Sequence, residues 1–241
     1  MATVAQADTD PLAGAKKIFE TVTTDTLVVD NWTASAMTVA VELNVDAVIQ
    51  QLTTTWIAGT ADVHTILDCQ GTWNTSESAE DVYHEGLNFN GSSTSKNASV
   101  YGEDSSPNGS GRAIGMNFSP SLLFTESTPW DTYEKMALVL TMNGETTMTT
   151  TLLIIDNEGE SHSYYGANTG VKHSGSTAFT PNGKIYNVDT DIVNYAAVFD
   201  SAKNQAESLA IAQAVLQRVP EPTTGTLSLL ALAGLCIRRR K

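Results

Sequence analysis

The chain has 241 residues and carries 27 acidic against 13 basic side chains, a net charge of −14 at neutral pH. That balance repels polyphosphate backbones and anionic membrane surfaces, so nucleic-acid binding is excluded as a function class. With 41% hydrophobic residues the chain can bury a core, and its two cysteines, Cys69 and Cys236, are too few for a disulfide framework or a cysteine-based metal site.

In chain order, residues 1–11 (MATVAQADTDP) have neither the basic start nor the apolar stretch of a secretion signal. Ala5-Gln6-Ala7 ahead of Asp8 nevertheless has the small-x-small form of a signal cleavage site, so residues 1–11 read as the remnant of an export signal or as disordered chain. Residues 37–45 (MTVAVELNV) alternate strictly. Met37, Val39, Val41, Leu43 and Val45 fall on one side and Thr38, Ala40, Glu42 and Asn44 on the other, which predicts a half-buried strand. Trp32 and Trp56 border apolar runs and read as core residues of neighbouring strands. Residues 72–120, dense in Ser, Asn, Gly and Glu with apolar islands at 87–89 and 114–118, predict loops joining short strands.

Two β-rich runs, 133–142 (YEKMALVLTM) and 147–155 (TMTTTLLII), flank Asn143-Gly144-Glu145, where Asn-Gly supplies the positive φ a hairpin needs. Asp156-Asn157-Glu158-Gly159 predicts a second turn, and 193–199 (VNYAAVF) alternates again. A helix follows: Asp200 or Ser201 can cap it, Ala206, Leu209, Ala210, Ala214 and Val215 recur at helical spacing, and Pro220 ends it.

Catalytic chemistry leaves no signature. The acidic cluster Glu77, Glu80, Asp81 and Glu85 lacks the spacing that sets an acid and a nucleophile across one glycosidic bond, and reads as a solvated face. His64, His84, His162 and His173 are dispersed and form no zinc-binding pair, and no G-x-S-x-G elbow occurs. The chain therefore reads as a non-enzyme. No cofactor is implied beyond a structural calcium, for which Glu103-Asp104, Asp156-Asn157-Glu158 and Asp189-Thr190-Asp191 are equally good as ligands and as turn residues. Carbohydrate recognition needs aromatic platforms beside planar polar groups, and Trp73, Tyr101, Trp130 and Tyr164 are the candidate glycan contacts in or beside polar segments.

The last 23 residues, 219–241, differ from the rest. They comprise Pro220-Glu221-Pro222, an uncharged run over 222–237, and the cluster Arg238, Arg239, Arg240 and Lys241. The prolines remove backbone donors and hold their neighbours extended, which displays Glu221. As a helix the run would span about 24 Å against a hydrocarbon core of about 30 Å, long enough for transient retention rather than a permanent anchor. The terminal cations would stay cytoplasmic while everything before Pro220 lies outside, which also parts Cys69 from Cys236.

These three elements resemble the PEP-CTERM sorting signal, a carboxy-terminal tag recognised by membrane-embedded exosortases, whose region is also labelled an ice-binding protein C-terminal domain. The resemblance implies an exosortase-type processing enzyme and the inner membrane as partners. It further implies membrane association through the carboxy-terminal helix, and then a cell-surface or extracellular address. In the body, the strand at 193–199 followed by Asp200-Ser201-Ala202-Lys203-Asn204-Gln205-Ala206-Glu207 and Leu209 resembles the closing strand and helix of laminin G-like, concanavalin A-like domains. The hairpin around Asn143-Gly144 resembles that family's central hairpin.

The expected organisation is an all-β jelly-roll sandwich over 12–218 with one short helix at its end, followed by a single hydrophobic sorting helix within 219–241. The expected function is non-catalytic recognition of a glycan or a surface protein. A secreted carbohydrate-active hydrolase without a recognisable motif and a purely structural matrix component are the alternatives.

Overall fold

The computed structural model describes residues 10–58, 62–73, 81–92, 95–105, 133–144, 147–168 and 178–218, with side chains except over 52–58, 62–64, 73–105 and 168. Residues 1–9, the apolar island at 114–118, Trp130, His173, Glu77, Glu80, Cys236, Pro220-Glu221-Pro222 and the terminal Arg238, Arg239, Arg240 and Lys241 lie outside the described residues.

The described chain is mostly β, with two helices. It runs β1 (Lys17–Phe19), β2 (Leu27–Val28), β3 (Met37–Leu43), α1 (Val45–Ala58), β4 (Asp62–Trp73), β5 (Asp81–Ser92) and β6 (Ser95–Ser105). It continues through β7 (Tyr133–Met142), β8 (Met148–Asp156), β9 (Ser161–Asn168), β10 (Phe179–Tyr186) and β11 (Val193–Phe199) to α2 (Gln205–Gln217). Two antiparallel sheets form, six strands in the order β1-β11-β3-β7-β8-β9 and five in the order β2-β10-β4-β5-β6.

One core joins the sheets: Val39, Val41, Leu138, Leu140, Leu152 and Ile154 of the six-stranded sheet cluster with Ile66, Cys69, Phe179 and Ile185 of the other. The alternation of β3 accounts for this inner face, because strict period two delivers Met37, Val39, Val41 and Leu43 to the same side. The opposite face of β3 was expected to be solvated and is not. Ala40, Ala137, Val139, Leu153, Ala197 and Phe199 form a second cluster with Ile211, Ala212, Val215 and Leu216 of α2, which lies across that face. Small side chains at Ala40, Ala137 and Ala197 let the helix approach, and each buried Val or Leu contributes about 1.5–3 kcal/mol. Thr38 is buried too, and stays satisfied by pairing its hydroxyl with that of Thr141 at 3.0 Å and donating to the Ser201 carbonyl at 2.9 Å.

Several sequence expectations are corrected. The strand expected over 37–45 ends at Leu43, and Val45 begins a helix that contains Trp56, which the sequence reading had placed beside strands. Val45, Val48, Ile49, Thr53, Thr54, Thr55 and Ile57 are β-branched and give α1 little intrinsic helix preference. What holds it is Asn44, whose side chain accepts from the Ala47 amide at 3.3 Å, and the burial of Val45 and Val48 in the inner core. The polar stretch from Thr72 contains two long strands rather than short ones in loops: β5 and β6 pair without a break from Val82↔Ser105 to Ser92↔Ser95. Backbone pairing is indifferent to side-chain polarity, so a Ser- and Asn-rich hairpin hides from hydropathy. Helix α2 is capped by Asn204 rather than Asp200 or Ser201, and it buries Ser208, Ile211, Ala212, Val215 and Leu216 while Ala206 is exposed.

The expected hairpin is present. Gly144 takes φ +81° between β7 and β8, where a Cβ would lie 2.3 Å from the Ser35 carbonyl oxygen. The second turn is present as well, with Gly159 at φ +84°.

Candidate functional site

The chemistry-bearing side chains gather at one end of the six-stranded sheet. Tyr133 opens β7 opposite Asp156, the last residue of β8. The Asp156 carboxylate organises the turn that follows: Oδ1 accepts from the amides of Glu158 at 3.0 Å and Glu160 at 2.8 Å. The chain thereby returns as β9, and His162 Nε2 comes to 2.8 Å from Asp156 Oδ2. Tyr164 stands opposite Leu152 and His162 opposite Ile154, two inner-core residues, so His162 and Tyr164 share the inner face with Tyr133. Tyr133 and Tyr164 are half-buried against that core.

The electrostatics follow from this crowding. The hydrogen bond from His162 is the main reason the Asp156 carboxyl ionises below its usual value, helped by the turn amides against some burial. Burial raises the Tyr164 phenol, and burial followed by the nearby Tyr164 and Asp156 raises Tyr133, so both rings stay neutral and keep a hydroxyl to donate.

Tyr133 also borders a cleft of about 340 Å³ lined by Glu42, Leu43, Asn44, Val45, Asp46, Glu134, Lys135 and Asn194. The cleft exists because β3 stops at Leu43 and the chain turns into α1: the Asn44 amide donates to the Ile192 carbonyl at 2.7 Å, and Asn44 caps the helix. Two carboxamides, three carboxylates, one amine and a phenol ring can accept and donate to a hydroxyl-rich ligand, whereas a strong anion meets repulsion from the carboxylates.

Of the sequence candidates, Tyr164 lies next to Tyr133 at this end of the sheet, beside the cleft and not in its lining. Trp73 ends β4 of the other sheet opposite Phe179, and Tyr101 lies in β6 opposite Gly86. Among the calcium candidates, Asp156 is engaged by its turn and His162, while Asp189 Oδ1 accepts from the amides of Asp191 at 2.9 Å and Ile192 at 3.1 Å. Glu103 and Asp104 fall on β6. Among the described residues no group of three or more His, Cys, Asp and Glu converges as a metal site would require. Sequence reasoning missed Tyr133, Asn44 and Asn194, whose only signal was position at strand ends, and it did not link Asp156 to His162 across the turn.

A second constellation closes the body. Arg218 follows α2, and its amide donates to Ala214 O at 3.0 Å. Its guanidinium lies 4.0 Å from the centre of the Tyr195 ring, hydrogen-bonds to Glu42 and approaches Glu20 at 3.6 Å. Burial pushes the Tyr195 phenol up to about 12; Glu20 adds to the shift and Arg218 opposes it. The next residues are Val219 and the Pro220-Glu221-Pro222 motif.

No protein-family model matches the chain, and no curated protein sequence matches it. Among the described residues no helix is long and apolar enough to cross a membrane.

Proposed function

We propose that this chain is an exported bacterial surface or matrix protein, sorted through Pro220-Glu221-Pro222 by an exosortase-type enzyme after transient retention in the inner membrane. The observation that carries the reading is the order of the tail: a proline-bracketed acidic tripeptide, sixteen uncharged residues over 222–237, and Arg238, Arg239, Arg240 and Lys241 at the end. The Arg218 constellation supports it, because α2 and its last contacts are made before the motif begins. On this reading the body is a concanavalin A-like, laminin G-like jelly roll that recognises rather than transforms its ligand.

The site favours a neutral glycan as that ligand. Tyr133 supplies aromatic surface in the cleft, with Tyr164 beside it on the inner face, and Asn44, Asn194, Asp46 and Lys135 supply planar and charged partners for sugar hydroxyls. Mass spectrometry of the mature protein from its native cell tests the sorting: a carboxy terminus near Glu221 is expected, and an intact terminal Lys241 in soluble cytosol refutes it. A glycan array tests the ligand. Saturable binding should fall about tenfold or more in Tyr164→Ala, the scale of losing one stacked ring and its hydroxyl, and an unchanged profile refutes the site.

A further inference from the structure

Two irregularities of the six-stranded sheet fall at the same place. In β11 the register on β3 passes from Val193↔Leu43 to Tyr195↔Glu42, so Asn194 is an extra residue. In β7 the register on β8 passes from Tyr133↔Asp156 to Lys135↔Ile155, and Glu134 is the extra residue there. Among the described pairs of this sheet these are the only two register shifts, and both extra residues line the cleft where β3 stops. Bulges are over-represented beside functional sites, because the extra residue re-aims a side chain. Strand β3 lies between β11 and β7, so Asn194 and Glu134 come to the cleft from opposite flanks.

A donor on one flank and an acceptor on the other suit a secondary amide. In its trans form that group presents its carbonyl and its N–H on opposite edges, and each needs a partner when taken out of water. The Asn194 carboxamide can donate, whereas the Glu134 carboxylate can only accept. Leu43 and Val45 line the cleft between them with aliphatic carbon, on which a methyl group is shielded from water. An ammonium fits less well. Of the three carboxylates in the lining, Glu42 is held by Arg218 and Glu134 has Lys135 beside it, so little of the formal negative charge is left to hold a cation. We propose that the cleft selects sugars bearing an acetamido group, an inference that rests on the glycan reading above and narrows it. The acetyl carbonyl accepts from Asn194 Nδ2, the amide N–H donates to Glu134, and the methyl group packs on Leu43 and Val45. Asn44, whose Oδ1 is committed to the Ala47 amide at 3.3 Å, brings its NH2 group as a donor to a ring hydroxyl. The Tyr133 ring takes the apolar face of the sugar.

The test titrates the full chain, in mild detergent, with the methyl β-glycosides of glucose, glucosamine and N-acetylglucosamine and with their galacto counterparts. Within a series only the group at C2 changes, from hydroxyl to ammonium to acetamide. The acetamido member should bind about tenfold or more tightly than the hydroxyl member, the scale of a buried polar group that loses its partner. Asn194→Asp keeps the shape of the side chain, replaces its donor by an acceptor, and retains the backbone carbonyl that accepts from the Val22 amide at 3.1 Å. In that variant, and in Glu134→Ala, the preference should fall to about threefold or less while the melting temperature stays the same. Equal binding of the acetamido and hydroxyl members overturns the proposal and leaves the glycan reading standing. A preference for the amine overturns it in favour of a cationic ligand. A preference that survives both substitutions puts the acetamido group elsewhere and overturns it as well. Binding of none of the glycosides overturns the glycan reading and this inference together.

Discussion

Replacing Arg218 by Ala removes a side chain that ties the end of α2 to three other parts of the body. Its guanidinium stacks 4.0 Å from the Tyr195 ring centre of β11, hydrogen-bonds to Glu42 of β3 and faces Glu20 after β1 at 3.6 Å. The stacking contributes about 0.5–2 kcal/mol, since the cation is mostly out of water. A hydrogen bond to a charged partner contributes about 1.5–3 kcal/mol. The contact to Glu20 adds little, because the Glu20 side chain is 56% exposed. Against these stands the buried Arg218 Nε, which has no hydrogen-bond partner among the described residues and costs about 1 kcal/mol or more.

The net expected loss is about 2 kcal/mol, or roughly 4–8 °C in Tm for a domain of this size. Denaturant unfolding at neutral pH, followed by circular dichroism, reads the change directly. Arg218→Lys should recover less than half of it, since an ammonium offers neither a planar stack nor a forked donor. A loss below about 0.5 kcal/mol for Arg218→Ala would refute the reasoning, because that is the range of ordinary surface substitutions.

Tyr195 gives an alkaline test. Its phenol ionises near 10 when unfolded and about 12 when folded, so the unfolded chain loses its proton first. Stability should therefore be intact below pH 10 and fall as pH rises toward 12, by at most about 1.4 kcal/mol per pH unit; Tyr195→Phe should flatten that slope in pH-dependent melting. Asp156 gives the opposite limb. Its folded carboxyl ionises below the usual value of 3.8, so its contribution is present above that pH and is lost as pH falls through the folded value. Asp156→Asn should flatten the acid side of the same profile, and an unchanged acid limb would count against the His162 contact. Asn204→Ala removes the acceptor of the Glu207 amide at 3.0 Å and half of a reciprocal cap, and should cost about 1 kcal/mol in denaturant unfolding.

How much of this was legible in the sequence depended on whether one residue type could decide a local geometry. Asn143-Gly144 decides a turn because Gly144 must take φ +81°, and that hairpin was read correctly. The alternation of Met37, Val39, Val41 and Leu43 likewise identifies one buried face. The other face of β3 could not be read the same way. Its burial depends on α2, whose packing residues lie about 170 positions away in a helix that was recognised but not docked. Helix α1 was missed because its β-branched residues vote for strand, and only Asn44 and tertiary burial overrule them. Site assembly was hardest of all. Asp156 and His162 meet because a turn folds six residues back, while Asn44, Tyr133 and Asn194 come from three strand ends that no spacing rule connects.

The way the body closes bears on the tail. Among the described residues, both core clusters are complete by Leu216, and the last anchoring side chain is Arg218. The chain leaves Arg218 at φ −57° and ψ 138°, no longer helical, with Val219 between it and Pro220. A cut at the motif would then remove no side chain that these cores or the Arg218 constellation use. On the sorting reading proposed above, such a division would let one sequence carry a segment suited to a bilayer and a body suited to water, each folding under its own solvent. If residues 219–241 instead contributed to the body, their removal would lower its Tm. The division drawn at Arg218 requires no change.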